Sequence, residues 1–233
     1  MNRIAVVTGA GRGLGWAVTQ LLAGRGDRVL MGVRDTERAA ARVAGELPPP
    51  LRDTVTVLRL DVSDDDSVTD FGRRVADLVP AVDVLVNNAG INYDAEQRPS
   101  GADLAVVRDT METNFLGAWR MLIALSPSLR RSASGRVVNV SSGLGSLAGM
   151  SDHAPAYSAS KAAMNAVTRL FAAELAPDGV LVNSVCPGWL ATDMGGPDAG
   201  PVGDGARRVL WGIDLPDDGP TGGFFRDGEP VAW

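Results

Sequence analysis

Short apolar runs alternate with longer amphipathic segments along the chain, and this alternation limits the possible folds more than any other feature. The short runs end at Gly, Asn or Ser, which is typical of buried strands, and the segments between them carry apolar residues at helical spacing. The predicted strands are 3–7, 27–33, 55–60, 82–86, 136–140, 180–185 and 222–226. The predicted helices are 14–23, 35–47, 63–79, 103–129 (as one helix or two) and 157–175. This order predicts βαβ units in an α/β fold, with a mostly parallel seven-stranded sheet and helices on both faces.

Composition and charge exclude several classes of protein. The 233 residues suit one domain, and the net charge of −6 argues against a nucleic-acid or anionic membrane partner. The only cysteine, Cys186, cannot form an internal disulfide, and the only histidine, His153, leaves too little material for a His-based zinc site. No apolar stretch reaches the length of a membrane span or a secretory signal. We therefore expect a cytoplasmic protein without nucleic-acid, membrane or metal partners.

A glycine-rich turn, Thr8–Gly15, separates the first predicted strand from the first predicted helix. Glycine allows a tight turn and a close approach of the backbone to a pyrophosphate, and the helix behind it offers free N–H groups. The turn therefore predicts a dinucleotide cofactor. An ordinary tight surface turn is the alternative.

The end of the second predicted strand indicates which dinucleotide is bound. An acidic residue there favours the 2′-hydroxyl of NAD, and a basic residue favours the 2′-phosphate of NADP. Arg34 follows this strand and Arg12 lies in the glycine turn, so both favour NADP(H). Asp35 keeps NAD(H) possible, but it also suits the N-cap of the next helix. For each arginine alone, a solvated surface charge is the alternative.

Tyr157 and Lys161 are four residues apart in a predicted helix and therefore share one face. Lys161 is the only lysine among 22 basic residues, and Tyr157 is one of two tyrosines. A nearby ammonium favours the phenolate, so we expect Lys161 to lower the pKa of Tyr157. Ser142 ends the fifth predicted strand, where its hydroxyl can donate to a substrate carbonyl. The alternatives are a surface Tyr–Lys pair and a serine that only caps a turn.

Further motifs stand in the order of a known family. Together, these motifs resemble the short-chain dehydrogenase/reductase family: Thr8–Gly15, Leu60–Val62, Asn87–Gly90, Asn114, Ser142, Tyr157 with Lys161, and Pro187–Gly188. The ending, 222–226 with Trp233, and the segment 33–35 are most similar to the carbonyl-reductase-like branch. The resemblance implies a single Rossmann-like, doubly wound domain over residues 1–233.

The resemblance also implies roles for individual residues. Tyr157 would be the general acid and base, Ser142 would orient the carbonyl, and Lys161 would bind the nicotinamide ribose. Asn114 would hold a water that links Lys161 to solvent. Besides Tyr157, Lys161 and Arg34, the implied cofactor contacts are Gly9, Arg12, Gly13, Leu14, Asp61, Val62, Asn88, Pro187, Gly188 and Thr192.

Two expectations concern the surroundings of the site. The segment 195–205 is rich in Gly, Pro and Asp, which predicts a mobile loop and a substrate lid around residues 190–220. Monomeric members of the branch that the chain resembles carry a long insertion between serine and tyrosine, whereas residues 143–156 are only fourteen. We therefore expect a homo-oligomer, either a dimer or a tetramer.

The predicted function is the NADPH-dependent reduction of a ketone or aldehyde to an alcohol, with Tyr157 as general acid. The candidate substrate pocket is mostly apolar, which favours an apolar carbonyl compound: Leu144, Met150, His153, Trp189 and Met194. For His153, a loop position without catalytic duty is the alternative. Two other functions stay open, an NAD(P)-dependent alcohol dehydrogenase that works in the oxidative direction and a non-catalytic dinucleotide-binding sensor.

Overall fold

An eight-stranded sheet forms the centre of the protein in the computed structural model, which describes residues 2–233. Its strand order is β3-β2-β1-β4-β5-β6-β7-β8, and every neighbouring pair is parallel except β7 and β8. The strands are β1 Ile4–Thr8, β2 Arg28–Val33, β3 Val55–Arg59, β4 Val84–Asn87, β5 Arg136–Val140, β6 Leu181–Val185, β7 Phe224–Arg226 and β8 Glu229–Pro230.

Helices cover both faces of this sheet, as the sequence predicts. They are α1 Gly13–Gly24, α2 Thr36–Glu46, α3 Pro49–Arg52, α4 Asp65–Leu78, α5 Leu104–Met111, α6 Gly117–Leu129, α7 Pro155–Leu175 and α8 Val202–Ile213. Side chains of α4, α6 and α7 bury one face of the strands, and side chains of α1, α2 and α8 bury the other. Alternation along β1 shows the division, because Val6 packs into the first core and Ala5 and Val7 into the second. The single Rossmann-like, doubly wound domain is thus confirmed.

The sheet has one strand more than the seven predicted. β8 pairs antiparallel with β7 through the contacts Phe225–Pro230 and Arg226–Glu229. This strand is two residues long and exposed, so it carries no apolar run that a sequence pattern could reveal. The residues after β8 contact the segment between β5 and α7. The amide of Ala148 donates to the Trp233 carbonyl, and the Ser146 hydroxyl donates to the Ala232 carbonyl.

Part of the segment predicted as a loop and lid is helical. The loop prediction for 195–205 is wrong from Val202 onwards, where α8 begins. Ala206, Val209 and Ile213 recur at helical spacing and are fully buried against α1 and the sheet. The Gly, Pro and Asp residues before α8 hide this spacing from an analysis of composition. Mobility of the remaining lid residues stays a prediction.

The long helical region between β4 and β5 is divided by a change of helical pitch. Between α5 and α6 lies a π-helical turn, Glu112–Leu116, and within it Asn114 is completely buried. Such turns are uncommon and often occur at functional sites, because they rotate a side chain out of the regular helical register.

Among the described residues, no helix is long and apolar enough to span a bilayer.

Gly15 and Gly24, at the two ends of α1, allow a matched test of the close approach between this helix and the sheet. A Cβ on Gly15 would lie 2.5 Å from the Gly9 carbonyl oxygen and 2.5 Å from Asn88 Nδ2, whereas a Cβ on Gly24 would meet nothing within 4 Å. We expect Gly15→Ala to lower the free energy of unfolding by about 1–3 kcal/mol through overpacking. We expect Gly24→Ala to leave it unchanged or to raise it by up to about 1 kcal/mol. Urea unfolding of both variants measures this, and equal values would contradict the close approach.

Candidate active site

The carboxyl ends of four adjacent strands bring the predicted site residues to one edge of the sheet. β1 and β4 are neighbours, and the chain order reverses between them, because β2 and β3 lie on one side and β5 and β6 on the other. In open α/β sheets such a switch point forms a crevice that binds ligands. Gly9 follows β1, Asn88 follows β4, Ser142 follows β5 and Pro187 follows β6. The topology therefore places the glycine turn beside the Ser, Tyr and Lys positions.

The glycine turn is held by Thr8 and Asn88. The Thr8 hydroxyl accepts hydrogen bonds from the Asn88 and Ala89 amides, both at 3.0 Å. Asn88 Nδ2 donates to the carbonyl oxygens of Thr8 at 2.9 Å and Gly9 at 3.2 Å. Asn88, which we expected to contact the cofactor, thus also fixes the backbone of the turn. Gly9 has a φ of 62°, a left-handed conformation that only glycine adopts without strain.

The residues around this turn fit a pyrophosphate group. Arg12, the N-cap of α1, makes no side-chain capping hydrogen bond, so the first helical amides keep their donors for a ligand. At Gly13 the φ is 53°, and a Cβ there would lie 3.2 Å from Thr192 Cγ2. Any larger residue at Gly13 would fill the space between the turn and the segment that carries Thr192. Leu14 follows at the second position of α1 and is partly buried.

The two arginines expected near a 2′-phosphate differ in their surroundings. Arg34 is exposed directly after β2, and its backbone carbonyl accepts a hydrogen bond from Arg59 Nη1 at 3.0 Å. Arg12 forms an exposed ion pair with Asp193 on the segment that follows β6. The expectation that Asp35 is an N-cap is confirmed, because its carboxylate accepts from the Arg38 amide at 2.9 Å.

Asp61 and Val62 lie just beyond the end of β3, on the adenosine side that the resemblance implies. Burial raises the pKa of Asp61, but hydrogen bonds from Ser63 and the charges of Arg34 and Arg59 outweigh it and hold the pKa below its ordinary value. Val62 is buried, and a Cβ on Gly117 would lie 2.8 Å from Val62 Cγ2. Helix α6 therefore begins against this residue.

Ser142, Tyr157 and Lys161 meet between β5 and the first turns of α7. The Lys161 ammonium donates to the Val140 carbonyl oxygen at 2.8 Å and lies 5.6 Å from the centroid of the Tyr157 ring. The Ser142 hydroxyl accepts from the Leu144 amide at 3.2 Å, which is the turn cap named above as its alternative role. Because the hydroxyl is the acceptor in this bond, its own proton is free to donate elsewhere.

The protonation of this group differs from the expectation. Burial raises the pKa of Tyr157 to about 12, although hydrogen bonding with the Ser142 hydroxyl lowers it in part. Burial also lowers the pKa of Lys161 to about 8. The predicted lowering of the tyrosine pKa by the ammonium is therefore wrong for this structure. Its physical reason is that Lys161 is directed to the Val140 carbonyl and is itself desolvated, so burial of the phenol dominates.

Asn114 lies close to Lys161 but uses its side chain on the protein. Its Oδ1 accepts from the Ile91 amide at 2.8 Å, and its Nδ2 donates to the Ile91 carbonyl at 2.9 Å and to Ser160 Oγ at 3.0 Å. A Cβ on Gly90 would lie 3.2 Å from Asn114 Oδ1 and 3.6 Å from Lys161 Nζ. Asn114 thus fixes the backbone beside the ammonium.

Comparison with known proteins agrees with this arrangement. The profile of the family described as short chain dehydrogenase matches residues 3–199. The chain belongs to the short-chain dehydrogenase/reductase family. The 3-oxoacyl-(acyl-carrier-protein) reductase FabG of Vibrio harveyi is 36% identical over 195 residues, which cover 83% of this chain and 75% of that protein. These findings make the chain an oxidoreductase of this family.

Solved structures support the narrower placement. The carbonyl reductase Sniffer of D. melanogaster superposes with a TM-score of 0.88 and 28% identity, and the match covers 100% of both chains. The RhlG/NADP active-site complex of Pseudomonas aeruginosa has a TM-score of 0.81 and 28% identity, over 97% of this chain and 95% of that one. Carbonyl reductases are thus among the structural neighbours of this short-chain dehydrogenase/reductase, as the expected branch implies.

The expected substrate residues are mostly exposed. Trp189 is 67% exposed, Met194 and Met150 are also exposed, and Leu144 is half-buried. The His153 side chain is exposed, and its backbone carbonyl accepts from the Ser158 hydroxyl at 3.0 Å. Within residues 2–233, no group of three or more His, Cys, Asp or Glu side chains is placed to bind a metal ion.

The segment after β6 carries three of the implied cofactor contacts. Pro187 is buried, and its carbonyl accepts from Arg208 Nη1 of α8 at 2.8 Å. Gly188 has a φ of 90°, and a Cβ there would lie 2.9 Å from the same Arg208 atom. The Thr192 hydroxyl accepts from the Gly195 amide at 3.2 Å. Helix α8, absent from the sequence prediction, therefore supports the turn that carries the implied nicotinamide contacts.

Three supporting residues are not among those predicted from the sequence. Arg42 of α2 donates from Nη1 to the Gly11 carbonyl of the glycine turn at 2.7 Å. Asn165, four residues after Lys161, accepts from the Ser141 hydroxyl at 2.7 Å and donates to the Gly145 carbonyl at 3.1 Å, on the two sides of Ser142. Asp94 contacts the start of α7. The i+4 spacing from Lys161 is a signal for Asn165, whereas the other two contacts are distant in sequence.

The lowered pKa of Lys161 makes stability depend on pH. The folded value of about 8 lies below the ordinary 10.5, so between these values the unfolded chain binds more protons and stability rises with pH. We expect the difference in unfolding free energy between wild type and Lys161→Met to increase in favour of wild type by about 2 kcal/mol from pH 7.5 to 9.5. Urea titrations at four pH values measure it. A constant difference would show that the buried ammonium keeps its ordinary pKa.

Proposed function

We propose that this chain is an NADPH-dependent reductase that converts the carbonyl of a ketone or aldehyde into an alcohol. The observation that carries the proposal is the meeting of Ser142, Tyr157 and Lys161 beside the glycine turn at the carboxyl edge of the sheet. The printed activities of the FabG relative and the Sniffer neighbour, both reductases of carbonyl compounds by name, support the same reaction class. The expected pocket residues are mostly apolar, which favours an uncharged substrate.

The reaction needs a hydride and a proton. Reduced nicotinamide, when bound, would supply the hydride to the carbonyl carbon. The chain's own residues bind and protonate the carbonyl oxygen. Ser142 donates a hydrogen bond to the carbonyl oxygen, which stabilises the negative charge that develops there. Tyr157 donates its phenolic proton to that oxygen. A pKa of about 12 keeps the phenol protonated at neutral pH, so the proton is present when a substrate binds.

Lys161 serves two purposes in this proposal. Its ammonium holds a ribose hydroxyl of the cofactor, since it is compact and offers three donors where an arginine would present a wide fork. Its positive charge also lies 5.6 Å from the centroid of the Tyr157 ring, where it attracts the phenolate left by proton transfer, although burial outweighs this attraction and keeps the pKa of Tyr157 high. Asn114 holds the backbone at Ile91 beside the ammonium, where a water can connect it to solvent.

The preference for NADP(H) rests on charge at the end of β2. Arg34 is exposed and forms no ion pair among the described residues, so it can bind a 2′-phosphate with paired N–H donors. Asp35, the best support for NAD(H), uses its carboxylate at the N-terminus of α2. The oxidative direction with NAD(H) therefore loses its main argument. The RhlG neighbour was solved as an NADP complex, which supports the preference for NADP(H).

Homo-oligomer formation stays a prediction, which sedimentation equilibrium would test.

A tyrosine pair in the chain gives a sharp test of the chemistry. We expect purified protein to consume NADPH with small apolar ketones, aldehydes or quinones, more efficiently than with carboxylated ketones of equal size. Tyr157→Phe should lower kcat by about 10²–10⁴-fold because the proton donor is lost. Tyr93→Phe, at the only other tyrosine, should leave kcat unchanged because that side chain is 65% exposed. Absorbance at 340 nm measures turnover.

Two outcomes of this assay would contradict the proposal. Equal loss in both tyrosine variants would remove Tyr157 as proton donor. Tight NADPH binding without turnover of any carbonyl compound would favour the dinucleotide-binding sensor. A clear preference for carboxylated ketones would contradict the apolar substrate class alone.

The cofactor preference is tested by removing one charge. We expect Arg34→Ala to lower kcat/KM with NADPH by about 10–100-fold, because a charge-assisted phosphate contact contributes about 1.5–3 kcal/mol. The value with NADH should stay within about twofold, since NADH lacks the 2′-phosphate. Arg73→Ala removes a surface arginine that pairs with Asp70 on α4 and is the matched control. Parallel losses with both cofactors would show that Arg34 does not distinguish them.

A further inference from the structure

Asp94 is a buried acidic residue without a cationic partner. It is 1% exposed, and within the part of the chain that the structure describes no arginine or lysine forms an ion pair with it. Its two carboxylate oxygens are directed at the start of α7 instead. Oδ2 accepts from the Ala156 amide at 2.5 Å, and Oδ1 accepts from the Tyr157 amide at 3.3 Å. A buried carboxylate needs such donors because it has lost its hydration.

These two bonds complete the hydrogen bonding of the helix start. Pro155, the first residue of α7, has no amide proton to satisfy. The Ser158 amide already donates to the Ala154 carbonyl at 2.8 Å, as a regular helical bond. The two amides between these positions, on Ala156 and Tyr157, donate their hydrogen bonds to the Asp94 carboxylate. The N-cap residue, Ala154, has no side chain able to do this.

Ala154 shows that this start is a constrained one. Its φ is 45° and its ψ is 61°, a left-handed conformation that residues other than glycine rarely adopt. Ala154 is also fully buried. Such a conformation persists only where the surrounding structure holds it. The Asp94 carboxylate, bound two and three residues later, holds the chain after Ala154, and the Ser158 hydroxyl, which donates to the His153 carbonyl, holds the chain before it.

The segment that carries Asp94 is itself tied to the active site. Ile91, three residues earlier, exchanges two hydrogen bonds with Asn114. Arg98, four residues later, forms an ion pair with Asp152, in the loop before α7. The segment 91–98 is thus fixed at both ends and in the middle. It therefore connects the residue beside the Lys161 ammonium with the first turn of the tyrosine helix.

We propose that Asp94 is a positioning residue for Tyr157: it fixes the first turn of α7, so that the phenol is held towards Ser142 and the substrate carbonyl. The proposal rests on the reductase function proposed above. A small rotation of this turn moves the phenol without disturbing the glycine turn or Arg34, which lie on other elements. Lys161, one turn further along α7, is held separately by the Val140 carbonyl of β5. Loss of Asp94 therefore lowers kcat and leaves cofactor binding nearly unchanged.

The test compares Asp94 with another helix-capping aspartate. Asp103 accepts from the Ala105 amide at 2.8 Å at the N-terminus of α5 and is exposed, so Asp103→Ala removes a similar cap away from Tyr157. We expect Asp94→Ala to lower kcat by about 10²-fold, because a displacement of about 1 Å is enough for such a loss. KM for NADPH and its Kd, from fluorescence of the reduced cofactor, should change by less than about twofold in both variants.

A second variant and a second readout keep the test decisive. Asp94→Asn retains one acceptor oxygen, so its kcat should lie between those of wild type and Asp94→Ala, and it serves alone where the alanine variant does not fold. Amide hydrogen exchange of the free protein should accelerate in the peptide over residues 155–161 for the Asp94 variants and not for Asp103→Ala. Exchange needs no substrate, so it tests the positioning even if wild type reduces no carbonyl compound.

Three results would overturn the proposal. One is a kcat of Asp94→Asn and Asp94→Ala equal to that of Asp103→Ala. Another is a fall in kcat matched by an equal loss of NADPH affinity, which would indicate general destabilisation. The third is unchanged exchange at the start of α7. Failure of wild type to turn over any carbonyl compound would instead overturn the proposed function.

Discussion

Parallel pairing of β1 with β4 is the constraint on which the rest of the structure depends. Parallel neighbours cannot be joined by a tight turn, so each connection crosses a face of the sheet as a helix. Because the chain winds outwards in both directions from this pair, two helical layers form, and the crevice between the two directions lies above Gly9 and Asn88. Thr8 joins the two strand ends through its hydroxyl. The proposed cofactor site is therefore a result of topology before any side chain contributes to it.

The fold was largely predictable because its signals are local. Strand-length apolar runs, helical spacing and turn residues lie within a few positions of one another, and they identify the sheet, its parallel strands and the helices on both faces. Helix α8 was not predicted because Gly203 and Gly205 lie among its first residues and Pro201 precedes it, so the composition indicated a loop. The buried residues Ala206, Val209 and Ile213 nevertheless recur at helical spacing. Strand β8 was not predicted because two exposed residues form no apolar or alternating pattern.

Within the site, residue types were predictable and their contacts were not. The spacing of Tyr157 and Lys161 places them on one helix face, and Ser142 follows from the end of β5. The direction of the Lys161 ammonium towards Val140 depends on a strand 21 residues earlier. The contact of Asp94 with Ala156 spans 62 residues, and that of Arg12 with Asp193 spans 181. No local pattern encodes such pairs, and the pKa values that follow from them, including the raised pKa of Tyr157, could not be anticipated.

The use of a single lysine, deep in the protein, has a practical consequence. Lys161 is 3% exposed, and every other basic side chain in the chain is an arginine, apart from the lone histidine. Reagents that acylate or reductively alkylate ε-amino groups thus meet no accessible target of that kind on the outer surface. Fluorescent dyes, cross-linkers and immobilisation resins that react with lysine side chains would fail to attach there, or would react with Lys161 only when the fold opens far enough to admit them. Modification of lysine side chains, usually a nonspecific reaction, becomes in this protein a probe of one position.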